Sequence, residues 1–250
     1  MSSVGSSPET SSPPVAGGLD FRGRNVVITG GTGALGRSVL KSLVELGAVC
    51  HVPYLSREEA EALSSAGDGR VRLVGPVDLS DEADVARAYE GAGPLWASIH
   101  LAGGFAMAPA AATGRAALLQ QMDLNFFTAY LCSAAAVRQM AATGGGRIVN
   151  VAARPGVEWR LGAGMTAYAA SKAAVAAFTT ALAAEVSASG ILVNAVAPSI
   201  IDTPANRQAM PDADPAPWPK PDEVAANILW LASPANRITS GAVVPVYGRC

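Results

Sequence analysis

A glycine-rich stretch between an apolar run and an amphipathic run is the feature that most restricts the fold of this chain. Residues 25–29 read Asn-Val-Val-Ile-Thr, four glycines follow within residues 30–36, and apolar residues then recur at helical spacing as far as Gly47. This order predicts a buried strand, a tight turn and a helix. Free amides at the start of such a helix bind phosphate, and glycines let the backbone come close to it. The spacing of Gly31, Gly33 and Gly36 matches G-x-G-x-x-G and favours dinucleotide binding over a merely flexible turn.

Strand-like and helix-like segments continue to alternate along the rest of the chain. The predicted strands are 25–29, 48–52, 71–74, 96–102, 147–151, 191–197 and 242–246. The predicted helices are 35–46, 57–64, 82–90, 115–142, 167–188 and 223–232, and a break in the middle of 115–142 is left open. Alternation of this kind predicts an α/β protein with a doubly wound parallel sheet, that is, a single-domain Rossmann fold over residues 19–250. Residues 1–18, rich in Ser, Pro and Gly, are expected to form a disordered tail.

Composition excludes several classes of protein. A formal charge of -2 with 15% charged residues gives no basic footprint for nucleic acid. The apolar stretches are interrupted by glycine, proline and histidine, so no membrane span is expected. Cys50, Cys132 and Cys250 match neither a disulfide framework nor a zinc pattern, which fits the cytoplasm, and His51 and His100 are better explained by packing than by a metal site.

Tyr168 and Lys172 are the strongest candidates for chemistry. They lie four residues apart in an alanine-rich run that favours helix, so their side chains would share one face. A neighbouring cation lowers the pKa of a tyrosine toward the range needed for acid/base work. The alternative is a chance meeting of a buried tyrosine and a surface lysine, because this spacing alone is a weak signal.

The residues after the second predicted strand bear on the choice between NAD and NADP. An acidic residue there would bind the ribose hydroxyls of NAD, but the chain reads Tyr54-Leu-Ser-Arg57. Ser56 and Arg57 are suited to a 2′-phosphate, so NADP is preferred and NAD is the alternative. Arg57 would otherwise be a solvated residue in the first turn of the next helix.

Several motifs together resemble the short-chain dehydrogenase/reductase family over residues 19–248. They are the glycine-rich loop, Asp78-Leu79, Asn125, the Tyr168/Lys172 pair, and the stretches that begin at Gly146, Val193 and Ile238. The resemblance implies that Tyr168 exchanges a proton with a small-molecule carbonyl or alcohol while hydride passes to or from nicotinamide. It implies that Lys172 lowers the pKa of Tyr168 and holds the nicotinamide ribose, and that Asn125 kinks its helix and anchors a water.

Positions that bind the cofactor follow from the residues above and from the resemblance. They are Gly30, Thr32, Gly33, Leu35, Gly36, Ser56, Arg57, Asp78, Leu79, Ala102, Gly103, Tyr168, Lys172, Pro198, Ile201 and Thr203. Three of the assigned residues have a plain structural alternative. Asp78 would otherwise cap a strand end, Thr203 would start a turn, and Asn125 would be an ordinary polar helix residue.

Four positions depart from the family pattern. Ala34 replaces a glycine of the loop, His100-Leu101 replaces two asparagines, and Ser199 replaces a glycine. The fourth departure concerns mechanism, because Ala153 stands where the family has a serine that hydrogen-bonds the substrate oxygen. Losing such a donor typically costs ~10²–10³ in rate. Arg154 and Thr166 are the candidate replacements, although each is better explained by a structural role.

Two functions remain open at this point. The first is an NADP-preferring oxidoreductase with reduced oxygen polarisation, and the second is a silent cofactor-binding protein that acts as a regulator or partner subunit. Substrate walls are expected from residues 154–165, Phe105, Met107 and the proline-rich segment 204–220, which is predicted to be a semi-rigid cover rather than a helical lid. Trp159 and Trp218 face either substrate or core. Helices 115–142 and 167–188 suggest a homo-dimer or homo-tetramer, as the resemblance implies.

Overall fold

A seven-stranded parallel sheet forms the centre of the molecule, for which a computed structural model describes residues 19–64 and 69–250. The strand order is β3-β2-β1-β4-β5-β6-β7, and every neighbouring pair is parallel. The strands are β1 (Asn25–Thr29), β2 (Val49–Pro53), β3 (Val71–Val74), β4 (Leu95–His100), β5 (Gly146–Val151), β6 (Ile191–Pro198) and β7 (Val243–Val246). The prediction of a doubly wound parallel sheet is therefore confirmed. The predicted tail, residues 1–18, lies outside the described residues.

Helices cover both faces of this sheet. They are α1 (Ala34–Glu45), α2 (Arg57–Ser64), α3 (Glu82–Glu90), α4 (Arg115–Met122), α5 (Thr128–Thr143), α6 (Arg154–Val157), α7 (Thr166–Glu185), α8 (Pro204–Ala209) and α9 (Pro221–Ala232). A π-helical turn, Asp123–Phe127, separates α4 from α5, so the break left open in the predicted helix 115–142 is real. The short helices α6 and α8 were not predicted.

Alternation along β1 shows why both faces are closed. Val26 and Ile28 pack into one apolar cluster together with residues of α1 and α9. Val27 points the other way, into a second cluster that includes residues of α3, α5 and α7. Successive side chains of a strand face opposite sides, so a strand apolar on both faces requires cover on both. Among the described helices, none is both long enough and apolar enough to cross a membrane.

The carboxyl ends of four strands meet at one edge of the sheet. Thr29 at the end of β1 pairs with His100 at the end of β4, and His100 pairs with Asn150 of β5. Val151, which ends β5, pairs with Val196, two residues before the end of β6. Strands β2 and β3 lie on one side of β1, whereas β5, β6 and β7 lie on the far side of β4. The strands β1 and β4 therefore flank a topological switch point. The loops that follow these ends are therefore brought together.

Candidate active site

The loop after β1 forms a cradle that only glycine can line. Gly30 has a φ of +65°, and a Cβ placed on it would lie 2.6 Å from the backbone nitrogen of Ala102. A Cβ on Gly36 would overlap the carbonyl oxygen of Gly30. Gly33 begins α1 without a side-chain cap, and the first turn of α1 has no acidic residue. This backbone fits a pyrophosphate at a helix start, while Ala34 is exposed and its methyl group is accommodated.

Asn125 joins three parts of the site. Its Nδ2 donates hydrogen bonds to the carbonyl of Gly104 at 2.9 Å, to Ser171 Oγ at 3.1 Å and to the carbonyl of Gln121 at 3.1 Å. Its Oδ1 accepts one from the Gly104 amide at 3.1 Å. The residue is buried within the π-helical turn, and such turns are frequent at functional sites. Asn125 thus ties the loop after β4 to α7, which an ordinary polar helix residue would not do.

Lys172 lies in the interior, against the end of β5. Its ammonium group donates a hydrogen bond to the carbonyl oxygen of Val151 at 2.8 Å, and burial lowers its pKa to about 8. Glycines leave the room that this position needs. A Cβ on Gly103 would lie 2.7 Å from Asn125 Oδ1 and 3.4 Å from Lys172 Nζ, and one on Gly156 would lie 2.8 Å from Lys172 Cβ.

Tyr168 lies one helical turn before Lys172 on α7, and the ring of Phe105 meets it edge-on with 5.0 Å between centroids. Burial raises the pKa of Tyr168 to about 12. The prediction that Lys172 lowers this pKa is therefore not met in this structure. The prediction assumed that a nearby cation would stabilise the phenolate. In this structure desolvation of the phenolate raises the pKa of Tyr168, and the Lys172 ammonium donates its hydrogen bond to the carbonyl of Val151 instead.

Ala153 is buried and extended, and it supplies no hydroxyl group to the site. The chain turns at once into α6, as Pro155 at the start of a helix favours. Arg154 donates a hydrogen bond to Glu158 Oε2 at 3.0 Å, and its guanidinium lies 4.6 Å from the centre of the Tyr247 ring. These contacts give Arg154 a structural role. Thr166, the other candidate donor, is exposed at the first residue of α7.

A small cavity lies after β2, beside the start of α2. Its volume is about 160 Å³, and it is lined by Tyr54, Arg57, Ala60, Glu61 and Leu73. The Tyr54 hydroxyl donates to the carbonyl of Gly75 at 3.0 Å, which fixes one wall. The carbonyl of Ser56 accepts from the amide of Ala60 at 3.2 Å and so begins α2. Arg57 is thus both a first-turn residue and a lining residue of the cavity.

Asp78 and Leu79 follow β3 at the same edge of the sheet. Asp78 Oδ1 accepts hydrogen bonds from the amide of Ser80 at 2.9 Å and from its hydroxyl at 2.7 Å. The exposed Asp78 therefore caps the turn after its strand, which was its structural alternative. Leu79 packs on the apolar cluster beneath.

The segment after β6 is held by its own hydrogen bonds. Thr203 Oγ1 accepts from the amide of Asn206 at 3.2 Å and so caps α8, while the carbonyl of Ile201 accepts from the side chain of Asn206 at 2.8 Å. The carbonyl of Pro219 accepts from the amide of Asp202 at 2.8 Å. Residues 204–209 thus form a short helix within the segment that was predicted to be a semi-rigid cover, and the bond between Asp202 and Pro219 joins the two ends of this segment.

The predicted walls divide into exposed and buried residues. Phe105, Met107 and Trp159 are 61%, 65% and 76% exposed, respectively, whereas Trp218 is 7% exposed and belongs to the interior. Trp159 is anchored by a hydrogen bond from its indole nitrogen to the carbonyl of Gly156 at 3.2 Å. Among the described residues, no group of three His, Cys, Asp or Glu side chains could hold a metal ion.

Sequence reasoning missed two residues of the site. Ser171 accepts from Asn125 and donates to the carbonyl of Tyr168 at 2.8 Å, so it joins the two candidate residues. Gly156 lets α6 pack against Lys172. Ser171 follows Tyr168 by three residues in the predicted helix, so its place on the same face could have been noticed. Nothing in the sequence around Gly156 indicates a helix contact.

Comparison with known proteins agrees with this geometry. The sequence profile of the family described as short chain dehydrogenase matches residues 24–214. A galactitol 2-dehydrogenase of Rhizobium johnstonii is 37% identical over 90% of this chain and 93% of its own length. The 3-oxoacyl-[acyl-carrier-protein] reductase FabG of Pseudomonas aeruginosa is 31% identical over 92% and 98%.

A solved structure from Beutenbergia cavernae, described as an NAD(P)-dependent gluconate 5-dehydrogenase with bound NADP, superposes with a TM-score of 0.81. It is 28% identical over 92% of this chain and 97% of that chain. A short-chain dehydrogenase/reductase from Mycobacterium ulcerans gives a TM-score of 0.84 at 27% identity, over 92% and 90%. This chain therefore belongs to the short-chain dehydrogenase family of oxidoreductases.

Proposed function

We propose that this protein is an NADP-preferring oxidoreductase that interconverts a carbonyl group and an alcohol on a small molecule. The observation that carries the proposal is the convergence of Lys172, Asn125 and the Tyr168 turn beside a glycine cradle that a side chain would fill. The cradle fits a dinucleotide, whose nicotinamide supplies or accepts the hydride when it is bound.

Tyr168 is proposed to transfer the proton at its phenol oxygen. Burial raises its pKa to about 12, so the phenol is protonated at neutral pH, which is the form that a proton donor for carbonyl reduction must have. Lys172, with a pKa of about 8, is mostly an ammonium ion at neutral pH and is proposed to hold the nicotinamide ribose. Asn125 is proposed to keep the loop at Gly103 and Gly104 at the distance that the cofactor needs.

Ala153 is proposed to make the polarisation of the substrate oxygen weak. No hydroxyl is present at this position, and the guanidinium of Arg154 is engaged by Glu158 and Tyr247. An Ala153→Ser variant should gain a hydroxyl donor at this buried, extended position. The expected result is an increase in kcat of ~10-fold or more, up to the ~10²–10³ that such donors supply.

NADP is proposed as the preferred cofactor because Arg57 lines the cavity after β2, together with Glu61, and the residue that follows β2 is Tyr54 rather than a carboxylate. A homo-dimer or homo-tetramer is proposed through α5 and α7, because Phe127 and Tyr130 expose aromatic rings beside this helix pair. Light scattering of the purified protein measures the assembly directly.

The deciding experiment follows NADPH oxidation with a panel of carbonyl compounds. Wild type should oxidise NADPH with at least one of them, and Tyr168→Phe should lose this activity while it still binds NADPH in titration calorimetry. Tyr130→Phe, which removes an exposed hydroxyl on α5, is the matched control. Unchanged turnover in Tyr168→Phe would remove Tyr168 from the mechanism. Tight NADPH binding without turnover by wild type on any compound would instead support the silent cofactor-binding protein.

A further inference from the structure

A chain of hydrogen-bonded side chains crosses the interior beneath the site. We call it the buried polar chain, and it consists of Tyr89, Ser98, His100, Asn150 and Thr179, all of them buried. Its heavy-atom distances are 2.7 Å from Tyr89 Oη to Ser98 Oγ, 2.8 Å from Ser98 Oγ to His100 Nε2, 2.8 Å from His100 Nδ1 to Asn150 Oδ1 and 2.9 Å from Asn150 Nδ2 to Thr179 Oγ1. It therefore links α3, β4, β5 and α7.

The last bond fixes the directions of the hydrogen bonds as far as His100. The Thr179 hydroxyl donates to the carbonyl of Val175 at 2.8 Å, so it accepts from the Asn150 amide. The Asn150 carbonyl oxygen then faces His100, whose Nδ1 must carry the hydrogen. His100 Nε2 is left to accept a hydrogen bond, and two hydroxyls are within reach of it, Ser98 at 2.8 Å and Tyr89 at 3.3 Å. With the shorter bond, Ser98 donates to His100 and accepts from Tyr89 at 2.7 Å. Each member thus has its partner, and a neutral imidazole with one defined tautomer completes the chain.

The buried polar chain ends at the two elements that hold Lys172. Asn150 immediately precedes Val151, whose carbonyl oxygen accepts a hydrogen bond from the Lys172 ammonium at 2.8 Å. Thr179 follows Lys172 by seven residues, which is two turns along the same face of α7. The strand β5 and the helix α7 are therefore joined twice, once through Asn150 and Thr179 and once through Val151 and Lys172.

A hydrogen-bonded joint specifies the position of a helix on a sheet more narrowly than apolar packing does. Apolar packing is non-directional and lets a helix settle in neighbouring positions on a sheet. A buried polar network holds one arrangement, since any displacement leaves a donor or acceptor without a partner at a cost of about 1–3 kcal/mol. The joint between Asn150 and Thr179 can therefore fix the distance across which Lys172 reaches Val151.

We propose that Thr179 and Asn150, held in turn by His100, are positioning residues that keep the Lys172 ammonium on the carbonyl of Val151. The inference deepens the proposed function, because it assigns to the interior the placement of a group proposed to hold the cofactor. Loss of the hydrogen bond between Asn150 and Thr179 should let water reach the Lys172 ammonium. Because burial lowers the pKa of Lys172, this hydration should raise it.

The test is a lysine-labelled NMR titration of the complete chain, which has only Lys41, Lys172 and Lys220. Of these, Lys172 is the buried one, and loss of its signal in Lys172→Arg assigns it. In wild type the Lys172 Cε signal should titrate near pH 8. In Thr179→Val the midpoint should rise by about one pKa unit, a tenfold gain in proton affinity.

Matched variants separate positioning from plain stability. Thr180→Val removes an exposed hydroxyl from the next residue of the same helix and should leave the Lys172 midpoint unchanged. Thr179→Ser keeps the hydroxyl and should titrate with the wild-type Lys172 midpoint. Thr179→Ala, which adds no atoms, replaces the valine variant if that one does not fold. A lower melting temperature with an unmoved Lys172 midpoint in Thr179→Val or Thr179→Ala would overturn the proposal. The titration needs neither cofactor nor substrate, so its failure is distinct from failure of the proposed reaction.

Discussion

Acidification should destabilise this protein through His100. The imidazole is buried, and burial lowers its pKa from 6.5 to about 4. A histidine whose pKa is lower in the folded than in the unfolded chain binds its proton more readily when unfolded. Its stabilising contribution is therefore complete above pH 6.5 and is lost as the pH falls toward 4. The full difference corresponds to about 3 kcal/mol, and about 2 kcal/mol of it should be lost by pH 5.

The assay compares urea unfolding of wild type and His100→Asn at pH 7.5 and pH 5.0. An amide at this position cannot take up a proton in this range, so the variant should lack the His100 part of the loss. The expected result is a fall in the free energy of unfolding that is about 2 kcal/mol larger in wild type than in the variant. His51 is also a buried histidine with a lowered pKa, but it is present in both proteins and cancels.

The comparison depends on how much the free energy of unfolding changes between pH 7.5 and 5.0 in each protein, and not on the absolute stability of the variant. His100→Asn removes ring atoms from a packed interior and is expected to be less stable at every pH. Equal losses of stability in the two proteins between pH 7.5 and 5.0 would refute the reasoning, because His100 would then have the same proton affinity folded and unfolded. An imidazole nitrogen spectrum at pH 6 gives a direct check, since it should show the neutral form with hydrogen on Nδ1.

Three further results are expected. Gly36→Ala should abolish NADPH binding in titration calorimetry, because its Cβ would overlap the Gly30 carbonyl, whereas Gly91→Ala has open space and should bind normally. Arg57→Ala should weaken NADPH binding ~10-fold or more and leave NADH binding nearly unchanged, and an equal loss for both cofactors would contradict a 2′-phosphate contact. Thr203→Ala should lower the free energy of unfolding by about 1 kcal/mol in urea, because it removes the cap of α8.

The sheet was predictable because its signals are local. An apolar run, a glycine turn and a helical period stand side by side at β1 and α1, and the same alternation recurs along the chain. The helices α6 and α8 were missed because each is short and has a proline among its first two residues, inside a segment that reads as loop. Propensity and period carry little information over four to six residues, so tertiary contacts decide there.

The sequence could predict which residues belong to the candidate site, but not their burial, pKa shifts or hydrogen-bond partners. The spacing of Tyr168 and Lys172 correctly indicates a shared helix, yet the direction of the Tyr168 pKa shift depends on burial by residues distant in sequence, such as Phe105. The motif match of Asn125 identified the residue, whereas its hydrogen bonds to Gly104 and Ser171 required the fold.

The contrasting surroundings of Trp159 and Trp218 have a practical use in spectroscopy. The indole of Trp159 stands in solvent on the turn that follows α6, while that of Trp218 is enclosed. Iodide should quench the first and spare the second, and a molecule that settles over the α6 turn should shield the first from iodide. The difference in emission between wild type and Trp159→Phe would therefore report occupancy of this region in an unlabelled sample, without any need to know which compound is turned over.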